Sequence, residues 1–187
     1  MSTSRKWMIA SDLHGDAACA EQLLARYRES GAERLILLGD LLYHGPRNDL
    51  PDGYAPKRVI ELLNGIKNEL LCVRGNCDTE VDQMVLDFPI LADVAYLAID
   101  GLTILATHGH IYNTKNPPSL KAGDILLHGH THIPIAEEFG SGNWYINPGS
   151  ISIPKEGSPK SYLILEDRCF TWFDLDGNEY RSVSIDG

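Results

Sequence analysis

The sequence predicts an α/β fold in which two mixed β-sheets pack face to face with helices on the outside. Three observations carry this expectation. The first half of the chain alternates apolar strands with amphipathic helices, the pattern of parallel βαβ units. The second half, from Ile90 onward, consists of short strands separated by Gly, Asn, Pro and Asp turns. Five strands in succession then end in polar loops, which places a ligand site beyond the carboxyl ends of strands in a sheet of this type. Two stacked sheets with helices outside bury every apolar run that either half supplies. At 187 residues the chain reads as one domain spanning 1–187, long enough to bury a substantial core.

The elements follow in order. Lys6 to Ala10 is a buried strand, and Asp16 caps a helix whose apolar stripe is Ala20, Leu23, Leu24 and Tyr27, with Gly31 as its stop. Leu35 to Leu38 is the second strand. A loop rich in Gly, Pro, Asn and Asp runs from Leu41 to Ala55, a length usually associated with function or disorder. Pro56 opens the next helix, with Val59, Leu62, Leu63 and Ile66 on its inner face. Leu70 to Val73 is the third strand, and Glu80 to Leu86 reads as a short helix. Leu91 to Ile99 and Leu102 to Thr107 flank Asp100-Gly101, a strong hairpin signal. Short strands follow at Ile125 to Leu127, Ile133 to Phe139, Trp144 to Ile146, Tyr162 to Leu165, Phe170 to Leu175 and Tyr180 to Ile185.

Composition excludes several classes. A formal net charge of −10 and a pI near 5.0 argue against sequence-independent nucleic-acid binding, which needs a basic surface. A phosphate substrate stays open, because bound metal ions can outweigh an acidic surface. No apolar run approaches the roughly 18 residues of a membrane span, and Met1 to Ala10 has no signal-peptide pattern. Cys19, Cys72, Cys77 and Cys169 are scattered without CxxC spacing. The expectation is a cytoplasmic protein with reduced thiols and no membrane partner. The apolar C-terminal strands would allow a homo-oligomer.

The polar strand ends carry the chemistry. They are Asp12 and His14; Gly39 and Asp40; Gly75, Asn76 and Asp78; His108, Gly109 and His110; and Gly129, His130 and His132. All seven histidines lie in these loops or at His44, and none sits on a helix stripe. His128, His130 and His132 alternate, so an extended backbone would project all three to one side, as a metal site requires. Each piece alone has a plain reading: Gly39-Asp40 is a common turn, Asn76 suits a turn, and His108 could be a satisfied core histidine. The ordered set of five does not.

That ordered set, DxH, GD, GNxD, THGH and GHTH, resembles the calcineurin-like metallophosphoesterase superfamily. His44 to Asn48, Arg74 to Asp78 and Asn147 to Ser150 look closer still to its small bacterial YfcE-type phosphodiesterases. The resemblance implies a four-layer metallophosphoesterase sandwich and a metal-dependent hydrolysis of phosphodiesters by a hydroxide bridging two divalent metals. It implies that Asp12, His14 and His132 hold one metal, that Asn76, His108 and His130 hold the other, and that Asp40 bridges them. Manganese is the foremost expectation, with zinc, iron or nickel as alternatives for such nitrogen and oxygen donors. His128 has no role in the pattern and would pack or support the ligands. Asn76, Cys77 and His110 are the catalytic candidates, His110 approaching the phosphate from behind the ligands. His44, Arg47 and Asn48 would contact a small-molecule diester, and Arg74 would be either a phosphate clamp or an ion-pair partner. Many superfamily members carry His where this chain has Cys77. A thiol near pKa 8.5 is a poorer general acid at neutral pH than an imidazole near 6.5, which favours diesters with good leaving groups. The alternatives are a non-catalytic scaffold of the same fold, or a phosphomonoesterase or nuclease of the superfamily.

Overall fold

The computed structural model describes residues 5–185. Six strands form one sheet in the order β11-β10-β9-β1-β2-β3: β1 Trp7–Ala10, β2 Arg34–Leu37, β3 Leu70–Cys72, β9 Ser161–Glu166, β10 Cys169–Asp174 and β11 Glu179–Ser184. β1, β2 and β3 run parallel, and β9 pairs with β1 antiparallel. A second sheet has the order β4-β5-β6-β8-β7: β4 Val94–Ile99, β5 Leu102–Thr107, β6 Ile125–Leu127, β7 Pro134–Phe139 and β8 Asn143–Pro148. Here β5, β6 and β8 are parallel, with β4 and β7 antiparallel at the edges.

Alternation along each strand divides the core in two. Ile9, Ile36, Leu163, Leu165, Phe170 and Trp172 face Ile104, Ala106, Ile125, Leu127 and Ile146 between the sheets. Met8, Ala10, Leu35 and Leu37 face the opposite way, onto helices α1 (Ala17–Ser30) and α2 (Pro56–Asn64). The expected caps are in place: the Asp16 side chain accepts from the Cys19 N–H, Gly31 ends α1 at φ 69°, and Pro56 opens α2. Asp100 and Gly101, at φ 50° and 77°, close the β4–β5 hairpin with the positive φ that a two-residue turn of this hand demands. On the second sheet, Tyr112, Pro117 and Pro118 from the segment after β5 line a shallow cavity together with Val94, Tyr96 and Leu105.

The short helix near residue 80 spans only Glu80–Gln83 (α3), less than the expected Glu80 to Leu86. Gln83 supplies the reason. Its side chain donates to the carbonyls of Leu86 and Phe88 and accepts from the Ile90 N–H. Those backbone groups are thereby drawn away from further helical turns.

The parallel strands decide where function sits. The carboxyl ends of β1, β2 and β3 meet those of β5 and β6 across the sheet interface. There the His108 ring donates to the Leu38 carbonyl at 2.7 Å, and the His130 N–H reaches the Asp12 carboxylate at 3.0 Å.

Candidate metal centre

Each strand end delivers its ligand through a tight turn. Asp12, His14, Asp40, His130 and His132 all have positive φ, between 48° and 65°. Among the described residues, nine non-glycine residues have positive φ, so more than half of this strain lies on expected ligands. Strain of this kind persists where surrounding contacts over-determine it, commonly at functional sites. Glycines make the approach possible: a Cβ on Gly75 would run into the Asp40 carboxylate, and one on Gly129 into the Ser11 hydroxyl.

The donor atoms converge. His14 Nε2 lies 3.2 Å from His132 Nε2 and 3.6 Å from Asp12 Oδ1, which is 3.3 Å from His132. Nearby, His108 Nε2 lies 3.2 Å from His130 Nδ1, 3.1 Å from Asn76 Oδ1 and 3.4 Å from Asp40 Oδ2. Asp40 Oδ2 is also 3.8 Å from His14 Nε2, so one oxygen faces both groups.

Three of the imidazoles share one hydrogen-bonding pattern. His14, His108 and His132 donate from Nδ1 to the carbonyls of Tyr43, Leu38 and Ile153 at 2.8, 2.7 and 2.6 Å. In the neutral rings this leaves the Nε2 lone pairs pointing inward, and those of His14 and His132 oppose each other. Such an arrangement is repulsive without a cation between them. Asp12 Oδ1 is buried with no hydrogen bond reaching it. An orphaned carboxylate oxygen among inward lone pairs is what a divalent-metal site presents, so the donor set fits the expected ions.

Charge follows the same plan. Burial alone would raise the Asp12 carboxyl, but His132 and His14 outweigh it and hold Asp12 well below the usual range. Asp40 is likewise pushed up by burial and carried down by His108. Burial would lower the His108 imidazole, yet Asp40 and Asp12 lift it to about 9. His130 falls to about 4, through burial and the neighbouring His108. The Cys77 thiol, within reach of His14 and Asp40, is pushed far up by burial and by Asp40, so it stays protonated and is a poor thiolate ligand.

Chain segments distant in sequence brace the ligands. Ser150 and Ser152 both donate to the Asp12 carbonyl at 2.9 and 2.7 Å, and Asn147 donates to the Gly129 carbonyl. Asp78 accepts the N–H groups of Asp40, Leu41 and Gly75 at 2.7 to 2.9 Å, tying the second strand-end loop to the third. Asp78 and the Asn147 to Ser150 turn already stand out in the sequence, the turn as scaffold near the site, whereas Ser152 does not.

A cavity of about 440 Å³ opens over the cluster, walled by His14, Asp40, Asn76, Cys77, His130 and His132 with Arg47, Asn48, Thr131 and Lys155. Arg47 and Asn48 stand where expected, although Asn48 Nδ2 is already committed to the His44 carbonyl at 2.7 Å. His44 does not reach this wall. Its ring is packed edge-on against Tyr43 and Tyr54, at 4.7 and 5.4 Å, which turns it away from the expected substrate contact. His110 lines a neighbouring cavity behind His130, 6.3 Å from that ring. His128 stacks on Tyr145 at 4.3 Å and supports the ligands by packing. Arg74 donates from Nε to the Asp78 carbonyl at 3.2 Å. Lys155 was not anticipated, because a single exposed lysine in a loop carries no pattern. Another cavity, about 560 Å³ on the outer face of β9 and β10, contains none of the metal-ligating clusters found among the described residues.

The model of the calcineurin-like phosphoesterase superfamily domain matches residues 6–168. The chain belongs to that superfamily. As a member it is a hydrolase of the phosphoesterase type. The chain is 48% identical to phosphodiesterase YfcE of Escherichia coli K12 over 162 residues, 87% of this chain and 88% of that protein. It is 33% identical to the probable metallophosphoesterase YsnB of Bacillus subtilis over 189 residues, covering 94% and 95% of the two chains. The solved structure of the E. coli phosphoesterase YfcE superposes with a TM-score of 0.93 at 45% identity, covering 97% of this chain and all of that one. Among the described residues, no helix is long and apolar enough to cross a membrane.

Proposed function

We propose that the chain is a phosphodiesterase working with two divalent metal ions, manganese foremost. Asp12, His14 and His132 would hold one ion and Asn76, His108 and His130 the other, with Asp40 contributing to both. The observation that carries this reading is the position of Asp40 Oδ2, which faces His14 at 3.8 Å and His108 at 3.4 Å and so can serve both groups. When bound, two such ions supply a hydroxide nucleophile at neutral pH and neutralise charge on the phosphate.

The chain's own residues do the rest. Arg47 and Lys155 bring positive charge to the cavity wall and draw an anionic diester toward the ligands of an otherwise acidic protein. Asn76 turns Oδ1 inward while Nδ2 contacts the Cys77 thiol at 3.2 Å, leaving a second N–H for a phosphoryl oxygen. Cys77 is a weak proton donor, which favours diesters with good leaving groups over monoesters. His110 supports His130 from behind. The donor set is complete, which speaks against the scaffold alternative.

Metal analysis alongside hydrolysis of bis(p-nitrophenyl) phosphate with manganese, zinc, iron and nickel in turn tests the reading. Asp40→Ala and His130→Ala should lose bound metal and activity together. Full activity in either variant, or undiminished hydrolysis by metal-free protein, would overturn it.

A further inference from the structure

A second cavity, about 410 Å³, opens beside the metal-site cavity, and Cys77 lines both. Its wall differs in kind. Where the first is formed by histidines, carboxylates and cations, this one is mainly Leu42, Tyr43, Tyr54, Ile60, Val81 and Val85. Of its polar residues, the Thr79 hydroxyl is spent on Asp82, and Lys57 and Asp82 bring charges of opposite sign to the wall. Tyr43, Val81 and Val85 leave 42%, 69% and 43% of their surface exposed, three of the eight large hydrophobics that are exposed among the described residues. Singly exposed apolar residues need no explanation, but several on one wall next to a catalytic site mark a binding surface.

Two features prepare this wall. The His44 ring stands between Tyr43 and Tyr54, edge-on to each, and holds both aromatic faces in position. Gly45, at φ 81°, approaches Cys77 so closely that a Cβ there would lie 3.3 Å from the thiol sulfur. Two small residues thus lie together where the cavities adjoin, Cys77 on both walls and Gly45 on the metal-site wall.

We infer that this groove receives one ester group of the diester and selects an apolar or aromatic one. The inference rests on the phosphodiesterase reading above. A diester brings two organic groups to a metal site whose own wall is polar. Of the two described cavities that share residues with that wall, the one beside His130 carries His110, Asn113, Lys115, His128 and Glu137, whereas this groove is mainly carbon. The phosphate stays over the metal ligands, and the group beyond Cys77 leaves water for Tyr43, Tyr54 and the two valines. The groove supplies binding and no chemistry, so its effect falls on affinity.

The metal-loaded enzyme, assayed with bis(p-nitrophenyl) phosphate, is inhibited in parallel with dimethyl phosphate and diphenyl phosphate. These carry the same charge and differ in the groups offered to the groove. Diphenyl phosphate should inhibit at least about tenfold more tightly, the scale of discrimination that apolar pockets achieve. The double variant Val81→Ser, Val85→Ser alters only partly exposed positions and should bring that ratio close to one. Absence of reporter hydrolysis with every metal would sink the phosphodiesterase reading itself. Hydrolysis with equal inhibition by the two phosphates, or a ratio unmoved by the double variant, would overturn the groove assignment alone. Sedimentation of both proteins completes the test: a dimer that dissociates in the variant, with the ratio unchanged, would make the groove a contact between copies and refute a ligand role.

Discussion

Replacing Asp78 should weaken the fold by an amount set by three hydrogen bonds and loosen the metal site with it. Asp78 is 1% exposed, and its carboxylate accepts from Asp40 and Gly75 through Oδ2 and from Leu41 through Oδ1. Asp78→Ala leaves those N–H groups buried without acceptors, at about 1–3 kcal/mol each. Part of this returns, because burial raises the Asp78 acid and so penalises its ionised form at neutral pH. The expected loss for Asp78→Ala is therefore about 3–6 kcal/mol, a large share of the roughly 5–15 kcal/mol that stabilises a domain. In Asp78→Asn the amide oxygen can replace Oδ2 and keep two bonds, while its NH₂ confronts the Leu41 N–H. About 1–2 kcal/mol should be lost, or roughly 2–8 °C in Tm for a chain of this length. Because one of the freed groups belongs to Asp40, metal affinity should fall in the same order, wild type above Asn above Ala. Denaturant titration of metal-free protein and calorimetric metal titration measure the two quantities. Stability of Asp78→Ala within about 0.5 kcal/mol of wild type, or a variant that binds metal normally, would refute the bracing role.

Two further outcomes follow from the electrostatics of the site. His108 is lifted to about 9 in the metal-free protein, so at pH 7 it carries a proton that metal must expel. Apparent metal affinity should rise by about tenfold per pH unit for each proton released, flattening near pH 9, and calorimetry in buffers of different ionisation enthalpy reads the proton directly. For the metal-free fold the sign is opposite: the His108–Asp40 pairing stabilises fully below the ordinary imidazole value of about 6.5 and is lost as pH rises through about 9. Metal binding that releases no proton at pH 7 would contradict the assignment. At Cys77, whose thiol stays protonated, Cys77→His should raise the ratio of monoesterase to diesterase activity by supplying a better-matched acid. An unchanged ratio with metal content preserved would show that the residue only fills space.

Local signals in the sequence were faithful to the fold. Asp100-Gly101 made its hairpin, Asp16, Gly31 and Pro56 punctuated their helices, and β1, β2 and β3 ran parallel as the βαβ spacing required. These succeed because the cause lies within a few residues of the effect. Gln83 truncated its helix through a side chain that could have pointed to solvent, and nothing in the sequence distinguishes the two. The candidate ligands were legible as an ordered series, yet side-chain direction in loops was not. His44 sits one residue from loop positions that do reach the cavity, and its ring faces two tyrosines instead. Lys155 comes to the wall because the chain after β8 folds back over Asp12, anchored by Ser150 and Ser152, a contact spanning about 140 residues.

The alternating histidines after β6 show how backbone strain is converted into site geometry. In an extended strand His128, His130 and His132 would project together and could hold one ion. Instead His130 and His132 take φ of 65° and 61°, and the three rings separate: His128 stacks on Tyr145, His130 meets His108, and His132 meets His14. Asp12, His14 and Asp40 are strained in the same way. At roughly 1 kcal/mol or more per residue, five such positions cost on the order of 5 kcal/mol, comparable with the whole stability of a modest domain. They are held because their backbones are bonded on both sides of the cluster. Asp12 N–H reaches the Gly39 carbonyl, His14 N–H the Asp40 carbonyl, and Asp40 N–H the Asp78 carboxylate, while the His132 carbonyl accepts from Lys155 N–H. A fold that maintains this strain while gathering these donors at two adjoining points is organised around those points. Metal ions held there, as proposed, would return stability by binding only the conformation that the strain defines.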